Sequence, residues 1–341
     1  MARIELSRSA FFHNLAFLSK KLGGKKKLAV VLKDNAYGHG LLPMAMLSHE
    51  FGLTRAVVRT YKEAEQIKHL FMHIIILNPS APHIADQRYS LTVNTLSQIS
   101  TLPHNASIEL KVDTGMHRNG IALSELHEAF QRISEQKLLL KGAMTHFRSA
   151  DELSSELFWQ RRNWQKAKEE IATLCQSHKM PLPLFHSANS AAVLRLNHDE
   201  DDFARCGIAA YGYHQMPDIF GTYTLEPVLK LFAQKIATTT LQKGERIGYG
   251  GRFTAPHEMC VSTYDIGYGD GFLRFNGEGR FAPGGNPILG KISMDSLCLE
   301  GDREEVCLIP NAKETADFFG TISYDILVKL NSEIPRIITQ E

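Results

Sequence analysis

Apolar and polar positions over the first two-thirds of the chain alternate between two textures. Short, near-continuous apolar runs read as buried strands: LAVVL (28–32), AVVR (56–59), HIIIL (73–77), LTVN (91–94), IELKVD (108–113), LKGAMTHF (140–147), LPLFHSA (182–188) and ARCGIAAYG (204–212). Helical spacing fills 41–51, 60–70, 124–137 and 153–177, with Leu126, Phe130 and Ile133 on one face of the third. A first helix starts at a Ser7 or Ser9 cap, carries Phe11, Leu15, Leu18 and Leu22 on one face, and stops at Gly23 and Gly24. Eight such strands predict an α/β fold with an N-terminal (β/α)8 TIM-like barrel over 1–225. A doubly wound open sheet is the alternative that counting does not exclude. From about 226 the helical spacing vanishes. Pieces such as LFAQKIATTT, CVSTYDIGYG and SLCLEG alternate with Gly- and Pro-rich turns, which predicts a C-terminal mostly-β domain over 226–341, closed by a short helix near Tyr324–Leu330.

Composition narrows the class of protein. The 341 residues hold 38 Lys+Arg against 37 Asp+Glu, a formal charge of +1, so no bulk field favours nucleic acid or an anionic membrane. The longest apolar run, Leu70–Leu77, is interrupted by His73 and is too short to span a bilayer. The opening MARIELSRSAFF lacks the charged-then-apolar plan of a signal peptide. Five scattered cysteines with no CxxC pair point to reduced thiols, with neither a disulfide framework nor a zinc site. The expectation is a cytoplasmic enzyme without a metal.

In such a barrel, chemistry belongs at the C-terminal ends of the strands. Lys33 directly follows LAVVL, Arg118 follows IELKVDTGMH, His146 ends GAMTH, and His186, Asn189 and Ser190 follow LPLF; Arg205 lies in the eighth strand. By position alone Lys33 is a solvated lysine leaving a strand. Its functional alternative is a Schiff-base lysine, attacking a substrate directly or holding pyridoxal 5'-phosphate (PLP). The following Tyr37-Gly38-His39-Gly40 offers a phenol and exposed backbone, which suit a bound cofactor better than a small sugar. No GxGxxG follows the first strand, which weakens a dinucleotide reading.

The loop KDNAYGHG (33–40) resembles the K-A-N-A-Y-G-H-G PLP-lysine motif of bacterial alanine racemases. LKVDTGMHRNG (110–120), MTHF (144–147), HSANSAA (186–192), ARCGIAAYG (204–212), IGYGDG (266–271), SMD (293–295) and TISYDILVKLNSEIPR (321–336) are similar to further motifs of that family. The matches run in family order over almost the whole chain. The resemblance implies a cytoplasmic, homodimeric PLP enzyme that interconverts L- and D-alanine and supplies D-alanine for peptidoglycan.

It also implies roles. Lys33 would hold PLP and act as one base; Tyr268 would be the other, on the opposite face. Arg205 would face the pyridine nitrogen, with His186 supporting it. Being cationic, Arg205 disfavours ring protonation and weakens the electron sink. Arg118 would approach the PLP phenolic oxygen and the substrate carboxylate. Lys111 would hold that arginine, carbamylated as its equivalent is in several members. His146 would link Tyr268 to Arg205. Tyr37, Ser190, Gly207 and Ile208 would hold the phosphate, and Met294 would border the substrate. In the family, Tyr268 and Met294 serve the partner's site. Asp113 and Asp270 need only turn or capping roles.

Four positions depart from the family pattern. Asp34 replaces the usual alanine, and strand alternation predicts its side chain on the far side from Lys33. Asn119 replaces an apolar residue, Cys206 stands where Pro or Phe is common, and Ser332 aligns with a tyrosine that contacts phosphate in some members. Rival readings are a racemase of the same fold for serine, lysine or several amino acids, a barrel-type PLP decarboxylase, and a non-enzymatic PLP carrier.

Overall fold

The computed structural model describes residues 1–78, 86–196 and 201–340. The chain opens with β1 (Arg3–Ser7), whose alternating Arg-Ile-Glu-Leu-Ser buries Ile4 and Leu6 on one face. The helix Arg8–Leu22 follows. The Ser7 side chain accepts the N–H of Ala10, and Gly23 ends the helix at φ 82.

The barrel strands are β2 (Leu28–Val31), β3 (Arg55–Val58), β4 (His73–Ile76), β5 (Tyr89–Val93) and β6 (Ser107–Asp113). The two-residue β7 (Ile121–Ala122) pairs beside β6, and then come β8 (Leu139–Met144), β9 (Leu184–His186) and β10 (Ala204–Cys206). Eight strands run parallel in the order β10-β2-β3-β4-β5-β6-β8-β9. Two backbone hydrogen bonds complete the ring: Asp202 N–H donates to Phe185 O and Arg205 N–H to Ala188 O, both at 2.9 Å. All eight apolar runs are strands, because helices cover the outside and side chains fill the inside, so both faces must be apolar. The last two are shorter than the apolar runs suggested. After Cys206 the chain turns at once, with Ala210 N–H donating to Gly207 O at 2.8 Å.

The second sheet holds β11 (Leu229–Leu241), β14 (Met259–Tyr264), β15 (Leu297–Glu300), β16 (Glu305–Ile309) and β17 (Arg336–Thr339); β12 (Arg246–Ile247) and β13 (Phe253–Thr254) form a small separate hairpin. Its main path is β15-β14-β11-β1-β17, with β16 also on β11. Thus β1 pairs antiparallel with β11 and parallel with β17, and the first strand of the chain lies outside the barrel sheet. The helix Ser323–Lys329 lies where the sequence pattern expects one, and a second, Ala312–Phe319, precedes it.

Candidate active site

At the C-terminal ends of the barrel strands lies a cavity of about 400 Å³, within the range of cofactor and small-ligand sites. Lys33 and Tyr37 line it from the loop after β2. Lys111 and Arg118 enter from β6 and its following loop, and His146 from the end of β8. Ser190, Arg205, Gly207 and Ile208 enter from the last two units.

The chain leaves β2 in an unusual way. Asp34, Asn35, Ala36 and Tyr37 all have φ between 52 and 55, a left-handed turn of four residues with side chains. Each such residue costs roughly 1–2 kcal/mol, so local bonds must hold the turn. Ala36 N–H donates to Leu32 O at 2.9 Å, and Leu41 N–H to Asn35 Oδ1 at 2.8 Å. Glu63 braces the base of the turn: Oε1 accepts Asp34 N–H at 2.7 Å, and Oε2 accepts the N–H groups of Arg59 and Thr60. This turn overturns the expectation for Asp34. Strand alternation does not extend beyond Leu32, and Asp34 Oδ2 comes within 3.9 Å of Lys33 Nζ while Oδ1 pairs with Arg59 at 2.7 Å.

Arg205 is buried with both terminal nitrogens engaged. Nη1 donates to His186 Nδ1 at 2.7 Å and to His186 O at 2.6 Å; Nη2 donates to Thr145 O at 2.6 Å. Burial, together with the positive charges of Arg205, Lys111, Arg118 and Lys33, lowers the His146 pKa to about 3, so its ring is neutral at pH 7. Burial and the two arginines lower that of Lys111 to about 8, and its Nζ is in contact with Asn119 Oδ1.

Near the late strands, Ser190 Oγ accepts the N–H groups of Gly207 at 3.1 Å and Ala209 at 3.3 Å. A side chain at Gly207 would strike the Tyr37 hydroxyl, so glycine is required for this close approach. Tyr324 also lines the cavity, its ring 5.7 Å from that of Tyr37; Ser332 is exposed and does not line it. The aromatic of the closing segment at this cavity is therefore Tyr324.

Tyr268 and Met294 do not line this cavity. The Tyr268–Asp270 turn lies against Ser293 and Met294, with Tyr268 N–H donating to Ser293 O at 3.1 Å and Gly269 N–H to Met294 O at 2.7 Å. Two motifs far apart in sequence thus meet, and they face outward: Tyr268 is 39% exposed and Met294 62%. Asp113 and Asp270 fill turn roles, accepting the N–H groups of Gly115 and Gly267 at 2.9 Å.

A family model for the alanine racemase N-terminal domain matches residues 6–215, and one for the alanine racemase C-terminal domain matches 228–338. The chain belongs to the alanine racemase family. It is similar to the alanine racemase of Nitratiruptor sp., 48% identical over 98% of this chain and 99% of that one. It is 44% identical to that of Campylobacter curvus at the same coverage. Among solved structures, the alanine racemase of Bacillus anthracis with bound L-Ala-P superposes with a TM-score of 0.87 at 29% identity, covering 99% of this chain and 95% of that one.

The residues at the cavity fit the PLP on which this family depends. They offer a lysine amine at a strand end, a cradle of hydroxyl and backbone N–H groups that excludes a side chain at 207, and a fixed cation. Sequence reasoning missed Tyr324, and also Glu63. Glu63 was legible as the third position after Thr60 in a helix-capping pattern.

Proposed function

We propose that this chain is an alanine racemase that interconverts L- and D-alanine with PLP. The observation that carries the reading is the cavity itself, lined by Lys33 at one strand end, the Ser190–Gly207 cradle and the braced Arg205. PLP, when bound, withdraws electrons from the α-carbon of an attached amino acid and makes its proton acidic. Lys33 holds the cofactor and moves a proton at the α-carbon on one face. Tyr268 moves it on the opposite face, supplied by a second copy of the chain. Ser190, Gly207, Ile208 and Tyr37 bind the phosphate, with Tyr324 beside them. Arg205 keeps a positive charge against the ring nitrogen and His186 orients it. Arg118 and Met294 position the substrate, Lys111 sets Arg118, and His146 stands between Tyr268 and Arg205.

The functional unit in this reading is a homodimer with shared sites. Its chain divides into a PLP-binding barrel over 1–225 and a β domain over 226–341. Its place is the cytoplasm and its product serves peptidoglycan synthesis. Among the described residues, no helix is long and apolar enough to cross a membrane.

The test is a coupled assay of purified protein with PLP across a panel of L-amino acids, detecting each D-enantiomer. Selective D-alanine formation is expected. A larger or basic D-product would keep the chemistry and overturn the substrate. No D-product at all, with PLP bound, would sink the racemase reading.

A further inference from the structure

Glu109, the third residue of β6, is wholly buried inside the barrel and does not line the cavity. A carboxylate there is costly unless it is paired and hydrogen-bonded. Its Oε2 lies 2.8 Å from His186 Nε2, and its Oε1 lies 3.2 Å from His73 Nε2. Arg55, on β3, adds a positive charge that interacts with it. Gly142, opposite on β8, leaves the space, since a side chain at 142 would collide with the Glu109 carboxylate.

The protons on His186 follow from its other neighbour. The guanidinium of Arg205 can only donate, so His186 Nδ1, 2.7 Å from Arg205 Nη1, carries the lone pair. The ring proton is then on Nε2 and points at Glu109. Phe203 stacks on the ring at 4.2 Å and 18°, fixing its plane. Charge states agree with this order. Burial lowers the His186 pKa to about 4 against the pull of Glu109, so the ring is neutral. Burial raises the Glu109 pKa, but the hydrogen bond from His186 and the nearby His73 ring outweigh it and leave it at about 2, so the carboxylate is ionised.

We infer that Glu109 is a positioning residue for the reaction: through His186 it fixes the Arg205 guanidinium at the cofactor pocket, and its negative charge balances that arginine inside the barrel. The inference rests on the reading that Arg205 serves bound PLP. Its structural half does not, because donor order runs from Arg205 through His186 to Glu109 whatever the cavity holds.

The experiment has two arms on the PLP-loaded protein. The first is 15N NMR of histidine-labelled native protein, with His186 assigned by loss of its signal in His186→Asn. A neutral ring protonated on Nε2 from pH 6 to 8 is expected; a cationic ring, or one protonated on Nδ1, overturns the inference. The second compares Glu109→Gln, which keeps an acceptor and loses the charge, with Glu109→Leu, which loses both. For Glu109→Gln, kcat should fall by about tenfold or more while KM for alanine moves by less than about threefold, and the Kd for PLP should rise. Glu109→Leu should fall further. Wild-type kcat and PLP affinity in Glu109→Gln would overturn the inference with the cofactor reading intact. Native protein that takes up no PLP would overturn the cofactor reading, and with it the catalytic half of this one.

Discussion

Two buried histidines and a third, half-buried at the cavity, set how this protein meets acid. Burial lowers His39 to about 4, His146 to about 3 and His186 to about 4, against 6.5 for an ordinary histidine. Below pH 6.5 the unfolded chain takes up protons that the folded chain refuses, so stability present above 6.5 is lost as pH falls toward 3. Urea unfolding should show a lower midpoint at pH 5 than at pH 7, and His39→Gln should make that slope shallower. Equal slopes would mean that the His39 ring is charged in the fold. With Tyr268 as the proposed second base, Tyr268→Phe removes a proton carrier without touching the cavity proposed to hold PLP. Turnover should fall by about 10²–10⁴-fold from at least one enantiomer, with PLP absorbance retained.

The left-handed turn after β2 is the element that sets Lys33. Its four positive φ values belong to residues with side chains, and Ala36 is wholly buried. Ala36→Gly fits this backbone and should change stability by no more than about 1 kcal/mol, whereas the β-branched Ala36→Val should destabilise by several times that. Thermal melts of the two variants decide it. Glu63 serves the turn from outside, accepting three backbone N–H groups with one carboxylate. Glu63→Ala leaves those donors without their partner. It should cost about 1–3 kcal/mol and raise the Kd for PLP, read by titrating the cofactor absorbance.

For the whole molecule, the exposed pair Tyr268 and Met294 matters most. They lie together on the second domain and away from their own chain's cavity. A head-to-tail pair of chains would bring each Tyr268 to the other's Lys33. Mixing Lys33→Ala with Tyr268→Phe, each inactive alone, should then restore activity, because a mixed dimer holds one site with both native residues. Random mixing gives about a quarter of the wild-type rate. A mixture as inactive as its parts would place both bases in one chain.

The sequence by itself determined the run of parallel strands and, through its family motifs, most of the residues around the cavity, while closure into a barrel came with the fold. Continuous apolar runs of this length fit strands covered on both faces, and the motifs at their C-terminal ends follow from the direction of parallel strands. Local chemistry also sufficed for the Ser7 cap and the turn roles of Asp113 and Asp270. Tertiary structure decided what depends on partners distant in sequence. The first strand joined the second sheet because β11 and β17 offered it two edges, although its alternation alone said only that one face is buried. Asp34 turned toward Lys33 because Glu63 and Asn35 hold a left-handed turn that strand periodicity does not foresee. Tyr324 reached the cavity through the packing of its helix, and Glu109 became a buried, ionised group because His73 and His186 came to it from other strands. A single residue's pattern reports which face it buries; the energy of a buried charge or a strained turn depends on contacts that only the assembled fold supplies.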